Sequence, residues 1–394
     1  MVVRNAVTRL LWLQVVLVQM IANYYEAASL GGSHSHNTIE PFFPFSATIV
    51  SGAVAERCRF KAYLIYSFFL SGFIYPVVSH WMWSPDGFLY GRVLDFSGSG
   101  AVHLVGGAAA MSGSVFLGPR IGKFKYHEDT KKWETVDIPG HNAVLAALGC
   151  FILWTGFFAF NGAACGAFFC PDYVTTGRIV TVTMLAGSSG CLALLFYGAF
   201  RTGHWDLKLA MNGLLSGMVA SCSGCNVMTP LASIVTGVAG AAGYYFQNWL
   251  FEFVLRIDDP VGASAVHMGA GIVGVIVPAF LAHSDWTTGP DQAGIFYGGT
   301  GKQLGWQIFA VVVYFVWAFG TCSIIFFTLD KFGMLRVSAE VELAGMDTHH
   351  HGGRAYPKDL DMTVANKVDA MESSSEPADE VPQLPPTVIP EGAS

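Results

Sequence analysis

Asp95-Phe-Ser-Gly98-Ser-Gly-Ala101-Val102-His103-Leu104 and Asp259-Pro-Val-Gly262-Ala-Ser-Ala265-Val266-His267-Met268 share one pattern, D-x-x-G-x-x-A-V-H followed by an apolar residue. His103 and His267 stand 164 residues apart, and Ser51-Gly-Ala-Val54-Ala55 recurs 165 residues later as Ser216-Gly-Met-Val219-Ala220. An imidazole inside apolar sequence is costly and marks function by default. It both donates and accepts hydrogen bonds and titrates near neutrality, so two of them can pass protons or neutral hydrogen-bonding solutes along a pore. Three other readings compete. The histidines could be separately satisfied core residues, although a symmetric repeat would then be coincidence. They could ligate a haem between helices, for which the Gly-rich surroundings leave little room. Asp and His could form an acid/base pair, but eight residues along a helix separate them too far for a direct hydrogen bond. The pore reading is preferred; it requires no cofactor and no metal, and it makes the chain something other than an enzyme. Each Asp opens its helix, where a carboxylate accepts from free N–H groups and meets the positive end of the dipole. Of the eight cysteines most lie in apolar runs and read as buried thiols. Cys222 and Cys225 have CxxC spacing without a second pair, a weak metal signal.

The elements that must carry these residues follow from composition. Of 394 residues, 53% are hydrophobic and 12% charged, against about 25% charged in soluble domains. A cytosolic globular enzyme is thereby excluded. Lipid forces backbone polar groups into helices or closed barrels, and the ten-residue alternation of a barrel is absent. The fold class is therefore an all-α polytopic membrane protein. Spans of about 20 residues are expected at Phe42–Glu56, Phe60–Trp83, Gly98–Leu117, Asn142–Phe169, Arg178–Phe200, Leu209–Met228, Leu231–Leu255, Gly262–Ala282 and Leu304–Leu335. These are nine clear spans. The shorter apolar stretch Leu10–Ala22 reads either as a secretory signal core or as a shortened transmembrane helix. The helices carrying His103 and His267 are five spans apart, an odd number, so the copies run in opposite directions. That is an inverted five-helix repeat around a central pore, with the site between the halves.

Lys and Arg fall thirteen to three on alternate connections, with Arg57, Arg120 and Arg336 among the thirteen and Arg92, Arg178 and Lys302 as the three. The richer side is cytoplasmic by the positive-inside rule, which places the C-terminus inside. The formal charge of −7 comes from the end of the chain: Val337–Ser394 holds eleven acids against three bases. The near-neutral remainder excludes a nucleic-acid binder driven by net basic charge. Four regions are expected: an atypical N-terminal segment over 1–38, a membrane domain over 39–335, a cytoplasmic C-terminal regulatory segment over 336–356, and a disordered acidic, Pro-rich tail over 357–394.

Taken together, SATIVSGAVAERCRF (Ser46 to Phe60), YPVVSHWMW (Tyr75 to Trp83), LDFSGSGAVHLVGG (Leu94 to Gly107), FNGAA (Phe160 to Ala164), IDDPVGASAVHMGAGIVG (Ile257 to Gly274) and LRVSAEVELAGMD (Leu335 to Asp347) resemble the ammonium transporter (Amt/Mep/Rh) family. The similarity runs from about Phe42 to Tyr356, and the Trp-bearing and DDPVG segments favour the Amt branch. The resemblance implies an eleven-helix, trimeric fold with one pore per subunit, as a homotrimer or with related subunits, in a bilayer such as the plasma membrane. It implies ammonium or ammonia as the solute, cation recruitment by Trp83, a gate of two stacked rings at Phe42 and Phe160, and pore histidines at His103 and His267. It also implies a cation-stabilising role for Asp95, alternative to the cap. Asp259 and Asn161 are structural in this reading.

This sequence departs from the family pattern in two ways. Ala164 stands where a vestibule Ser is usual, and Phe157 where a Trp is. Subtracting 165 from Asn142–Phe169 leaves no partner within the chain, while Arg178–Phe200 maps onto about residues 13–35, so Leu10–Ala22 reads as a second helix and the first is absent. Besides a transporter, a non-conducting subunit or ammonium sensor and a Rhesus-like gas channel remain open readings.

Overall fold

The computed structural model describes residues 43–140, 142–164, 173–346 and 349. Phe42, the stretch Leu10–Ala22 and the regions 1–38 and 357–394 lie outside the described residues. Helix α1 is Phe43–Ala53. Helix α2 is Phe60–Trp83, with a π-helical turn at Leu70–Ile74, and α3 is Ser99–Leu117, opening with a π-helical turn at Ser99–Leu104. A short antiparallel hairpin follows, β1 Phe124–His127 and β2 Lys132–Thr135. Then come α4 Ala143–Gly162, α5 Tyr173–Thr202, α6 Leu207–Ser221, and α7 Pro230–Trp249, which continues as a π-helical turn at Leu250–Leu255. Helix α8 is Ala265–Leu281, α9 Lys302–Lys331 and α10 Ala339–Ala344.

Helix stands at each of the nine positions expected from hydropathy, and five of these helices among the described residues, α2, α3, α4, α5 and α9, are long and apolar enough to cross a membrane. Three helix starts, those of α4, α6 and α7, are chemically specified. The side chains of Asn142, Asp206 and Thr229 accept hydrogen bonds from the backbone N–H groups of Leu145, Leu209 and Ala232, three residues on, as N-caps do. Several helices end before the expected bound, α4 at Gly162 and α9 at Lys331 among them, and two of these early ends have a local cause. The first helix stops at Ala53, three residues before Glu56, whose φ of 69° cannot continue a right-handed helix. Helix α6 stops at Ser221 rather than Met228, because the backbone beyond it pairs with the segment before α3: Phe96 and Ser97 donate their N–H groups to the carbonyls of Ser223 and Cys222.

Helix α3 is the centre of the bundle, with α1, α8 and α9 packed on it, while α5, α6 and α7 pack on one another. Where α3 crosses α8, a side chain at Gly107 would collide with the Met268 backbone, and one at Gly271 would collide with the Ser99 carbonyl at 2.7 Å and press on the Leu104 backbone at 3.1 Å. The two glycines and the two residues they face are themselves 164 positions apart, so one small-residue contact is made twice, once from each helix.

At the end of the bundle that carries the basic connections, charges are buried in pairs. Arg120 reaches Asp258 through Nε at 2.8 Å and Nη2 at 3.0 Å, donates its backbone N–H to the same carboxylate, and meets Glu56 through Nη1 at 2.7 Å. The wholly buried Arg57 donates to the carbonyls of Gly118 and Asp258. Burial opposes the charge on Asp258, but the Arg120 hydrogen bonds and the nearby Arg57 outweigh it and hold this carboxyl below its ordinary pKa. The chain after α9 docks here: Arg59 N–H donates to the Leu335 carbonyl, Val337 N–H to that of Arg57, and Arg336 forks onto Glu342 at 3.0 Å.

Candidate functional site

The two D-x-x-G-x-x-A-V-H copies fold alike. Asp95 sits outside the helix and folds back over its start, accepting from the N–H groups of Gly100 and Ala101 at 3.2 and 2.8 Å and from the Ser223 hydroxyl at 2.6 Å. Asp259 accepts from Ala263 and Ser264 at 2.9 and 2.7 Å. Between acid and helix the chain turns through Gly98 (φ 92°) and Gly262 (φ 71°), a backbone region open to glycine. This corrects the expectation of eight helical residues between acid and imidazole. The intervening Gly breaks the run, helix begins at Ser99 and Ala265, and each imidazole lies in the π-helical turn that opens its element.

The crossing of α3 and α8 brings the two turns together. His103 Nδ1 and His267 Nδ1 are 3.0 Å apart, with ring centroids 5.1 Å apart and planes 10° apart, so the rings meet edge to edge. His103 is wholly buried and His267 half-buried. The backbone around them is held by side chains. Gln247 donates to the Ser264 hydroxyl, which donates to the Gly107 carbonyl, while Ser99 donates to the Val219 carbonyl and accepts from Ser223 N–H.

Aromatic rings close over His103. Phe157 lies nearly parallel to it at 5.6 Å, Phe160 is tilted at 5.4 Å, and the two phenyl rings are 5.8 Å apart. Phe160 shares an apolar cluster with Tyr75, Val102, Trp83 and Ala164, and the Trp83 indole N–H donates to the Asp95 carbonyl at 3.0 Å. Asn161 ties α4 to α5 through Thr183 at 2.9 Å. The structure thus gathers Trp83, Phe160, Asp95, His103 and His267. It leaves Asp259 at the far start of α8, and sets Asn161 both on Thr183 and beside the Cys222 thiol.

Sequence reasoning missed two contributors. Cys222 lies with its sulfur 3.6 Å from His103 Nε2, and Ser223 holds Asp95. Both follow the end of α6, and the CxxC spacing was the only mark on that segment. Cys222 and Cys225 are free, buried thiols, and among the described residues no cluster of three or more His, Cys, Asp or Glu could hold a metal.

The Asp95 contacts give one prediction. Asn caps about as well as Asp, so Asp95→Asn is expected to assemble normally, whereas Asp95→Ala leaves the Gly100 and Ala101 N–H groups and the Ser223 hydroxyl without their acceptor and lowers stability by about 1–2 kcal/mol. Thermal denaturation in detergent checks this; an alanine variant that melts with wild type removes the capping role.

Buried imidazoles meeting inside a bundle of membrane-length apolar helices define a polytopic membrane protein. The Ammonium Transporter Family model matches residues 35–356, and the chain belongs to that family. It is 41% identical over 342 residues to ammonium transporter 1 member 2 of Oryza sativa subsp. japonica, covering 79% of this chain and 66% of that protein. It is 38% identical to ammonium transporter 3 of Dictyostelium discoideum, covering 79% and 72%. Among solved structures, the Sensor Amt Protein superposes with a TM-score of 0.71 at 32% identity, over 79% of this chain and 75% of that one. Candida albicans Mep2 does so with a TM-score of 0.67 at 26% identity, over 76% and 65%. The chain spans about two thirds to 72% of the length of the curated relatives it matches.

Proposed function

We propose that the chain conducts ammonium or ammonia across a membrane through a narrow pore whose polar centre is the His103–His267 pair. The observation that carries the reading is that pair: two imidazoles 3.0 Å apart at the crossing of two helices that share one motif, one capping geometry and one reciprocal glycine contact. A solute that sheds its water there meets ring nitrogens that replace it. Phe160 and Phe157 form the apolar cover of the pair, and Trp83, half-buried beside Phe160, is the cation-recruiting face in this reading. The matched local geometry supports an inverted repeat. The buried charge cluster lies on the cytoplasmic side with the start of the C-terminal segment, residues 336–346, docked against it, the membrane is the plasma membrane, and the assembly is a trimer.

Expression in cells lacking their own ammonium uptake is expected to restore growth on low ammonium, with uptake that saturates. Failure to rescue at verified membrane abundance overturns the conduction reading. A second reading is favoured by the likeness to the Sensor Amt Protein: a subunit that senses ammonium and signals through its C-terminal segment. In that case the chain co-purifies with an intact transporter and alters its flux without rescuing growth by itself. A Rhesus-like gas channel would show non-saturating uptake that follows NH3 as pH varies, without current.

The two acids separate capping from charge. At equal membrane abundance Asp95→Asn is expected to lower ammonium flux far more than Asp259→Asn, because both substitutions keep the cap and only Asp95 adjoins the Trp83–Phe160 entrance. Equal effects in an isotope-uptake assay leave Asp95 with the cap alone.

A further inference from the structure

The thiol of Cys222 has contacts on two sides. Its Sγ is 3.3 Å from the Met218 carbonyl oxygen, one helical turn back, and 3.6 Å from His103 Nε2. On the opposite edge of the same imidazole, His103 Nδ1 is 3.0 Å from His267 Nδ1. A carbonyl oxygen only accepts, so the hydrogen between sulfur and Met218 has to be the thiol's own. That hydrogen is the only one a thiol has. The contact with Nε2 therefore needs its hydrogen from the ring, and the sulfur accepts it. A neutral imidazole carries one N–H, so His103 Nδ1 is then a lone pair, and the bond to His267 needs the hydrogen of His267 Nδ1. With both rings neutral, these three contacts are satisfied together in one order, and the Asn161 amide beside the thiol, a donor to sulfur, leaves that order unchanged.

We propose that Cys222 is a positioning residue that sets the tautomers of the histidine pair: His103 carries its proton on Nε2, His267 on Nδ1, and the hydrogen bonds run from His267 to His103 to Cys222 to the Met218 carbonyl. The two histidines are thereby unequal. His103 gives its donor to sulfur and its acceptor to His267, while His267 carries its proton on the nitrogen that faces His103. The proton arrangement that the pair presents to a solute is then set by Cys222. This consequence for conduction rests on the pore reading; the tautomer assignment rests on the contacts alone.

The test uses the full chain with 15N-labelled histidine, purified in detergent or lipid at alkaline pH where both rings are neutral. Nitrogen chemical shifts report which ring nitrogen bears hydrogen, with His103→Gln and His267→Gln used to assign the signals. Wild type is expected to show His103 as the Nε2–H form and His267 as the Nδ1–H form. Cys222→Ala removes the acceptor and is expected to shift the His103 tautomer ratio by roughly fivefold to tenfold, the worth of one net hydrogen bond. Cys222→Ser retains a donor for Met218 and an acceptor for Nε2, and is expected to keep the wild-type form. A purely space-filling cysteine would leave the ratio unmoved in Cys222→Ala. That result, or a wild-type His103 protonated on Nδ1, overturns the proposal; the wild-type measurement stands even if the alanine variant does not fold. Ammonium flux is read separately. Flux lowered in Cys222→Ala and restored in Cys222→Ser supports the stated consequence, and flux unchanged while the tautomers shift overturns it. Wild-type protein with the expected tautomers and no ammonium flux rejects the pore reading and leaves the assignment intact.

Discussion

Alanine at either His103 or His267 is expected to cut ammonium transport by roughly tenfold to a hundredfold, the effect of one lost hydrogen-bonding partner worth about 1–3 kcal/mol to a dehydrated solute. The bundle should still assemble, because both positions sit in turns held by other bonds: Asp95 and Asp259 cap the two starts, and Ser99 and Ser264 tie them to Val219 and Gly107. Removing one ring also deprives the other of its partner at 3.0 Å, so the single effects should not add. The double variant should lose less than the sum of the two. Discrimination against potassium should relax at the same time, because the space left by an imidazole admits water and with it a hydrated ion. Isotope uptake and potassium competition at matched abundance make the measurement. Wild-type flux with wild-type potassium discrimination in both single variants rejects the pair as the polar centre of the pore.

Arg120→Ala is the substitution with the largest expected effect on stability. Asp258 is 1% exposed and receives two side-chain bonds and one backbone bond from Arg120. Truncating the guanidinium leaves a buried carboxylate without its main partner, which costs about 3–5 kcal/mol in comparable pairs. Glu56, whose side chain is 60% exposed, is the internal control; Glu56→Ala should cost no more than about 1 kcal/mol. The pH dependence separates charge from packing. Folding lowers the Asp258 pKa, so the stability it contributes is complete above the unfolded value of about 3.9 and is lost as pH falls through the lower folded value. In Arg120→Ala burial acts with little opposition and the carboxyl prefers its neutral form, so acid relieves the variant while it weakens wild type. The gap in melting temperature should therefore narrow as pH falls toward 4. A gap that stays constant across that range would assign the loss to packing.

The sequence by itself determined much of this protein. A period of 164 residues paired His103 with His267 and Asp95 with Asp259, and apolar runs located the helices, because lipid leaves the backbone no other way to satisfy its polar groups. Trp83 and Phe160 stood out only through the resemblance of their segments to the ammonium transporter family. What it could not determine was contact between distant segments. The edge-to-edge meeting of two rings depends on how closely α3 and α8 cross, which Gly107 and Gly271 permit from opposite sides. Reading Asp and His as two points on one ideal helix misplaced the imidazoles, because a left-handed glycine and a π-helical turn intervene in each copy. The ends of α1 and α6 were overrun for a related reason. Hydropathy continues through Val54–Ala55 and Val227–Met228, and the helices stop where Glu56 turns left-handed and where Cys222 and Ser223 pair with the strand of chain before α3. Arg57, Arg120 and Asp258 were legible as charges flanking spans, but not as one buried cluster. Only the tertiary fold could pair Arg120 with an acid 138 residues away and set Cys222 against His103, because hydrogen bonds and ion pairs act over a few ångströms and nothing local in the chain records which distant partner will be there.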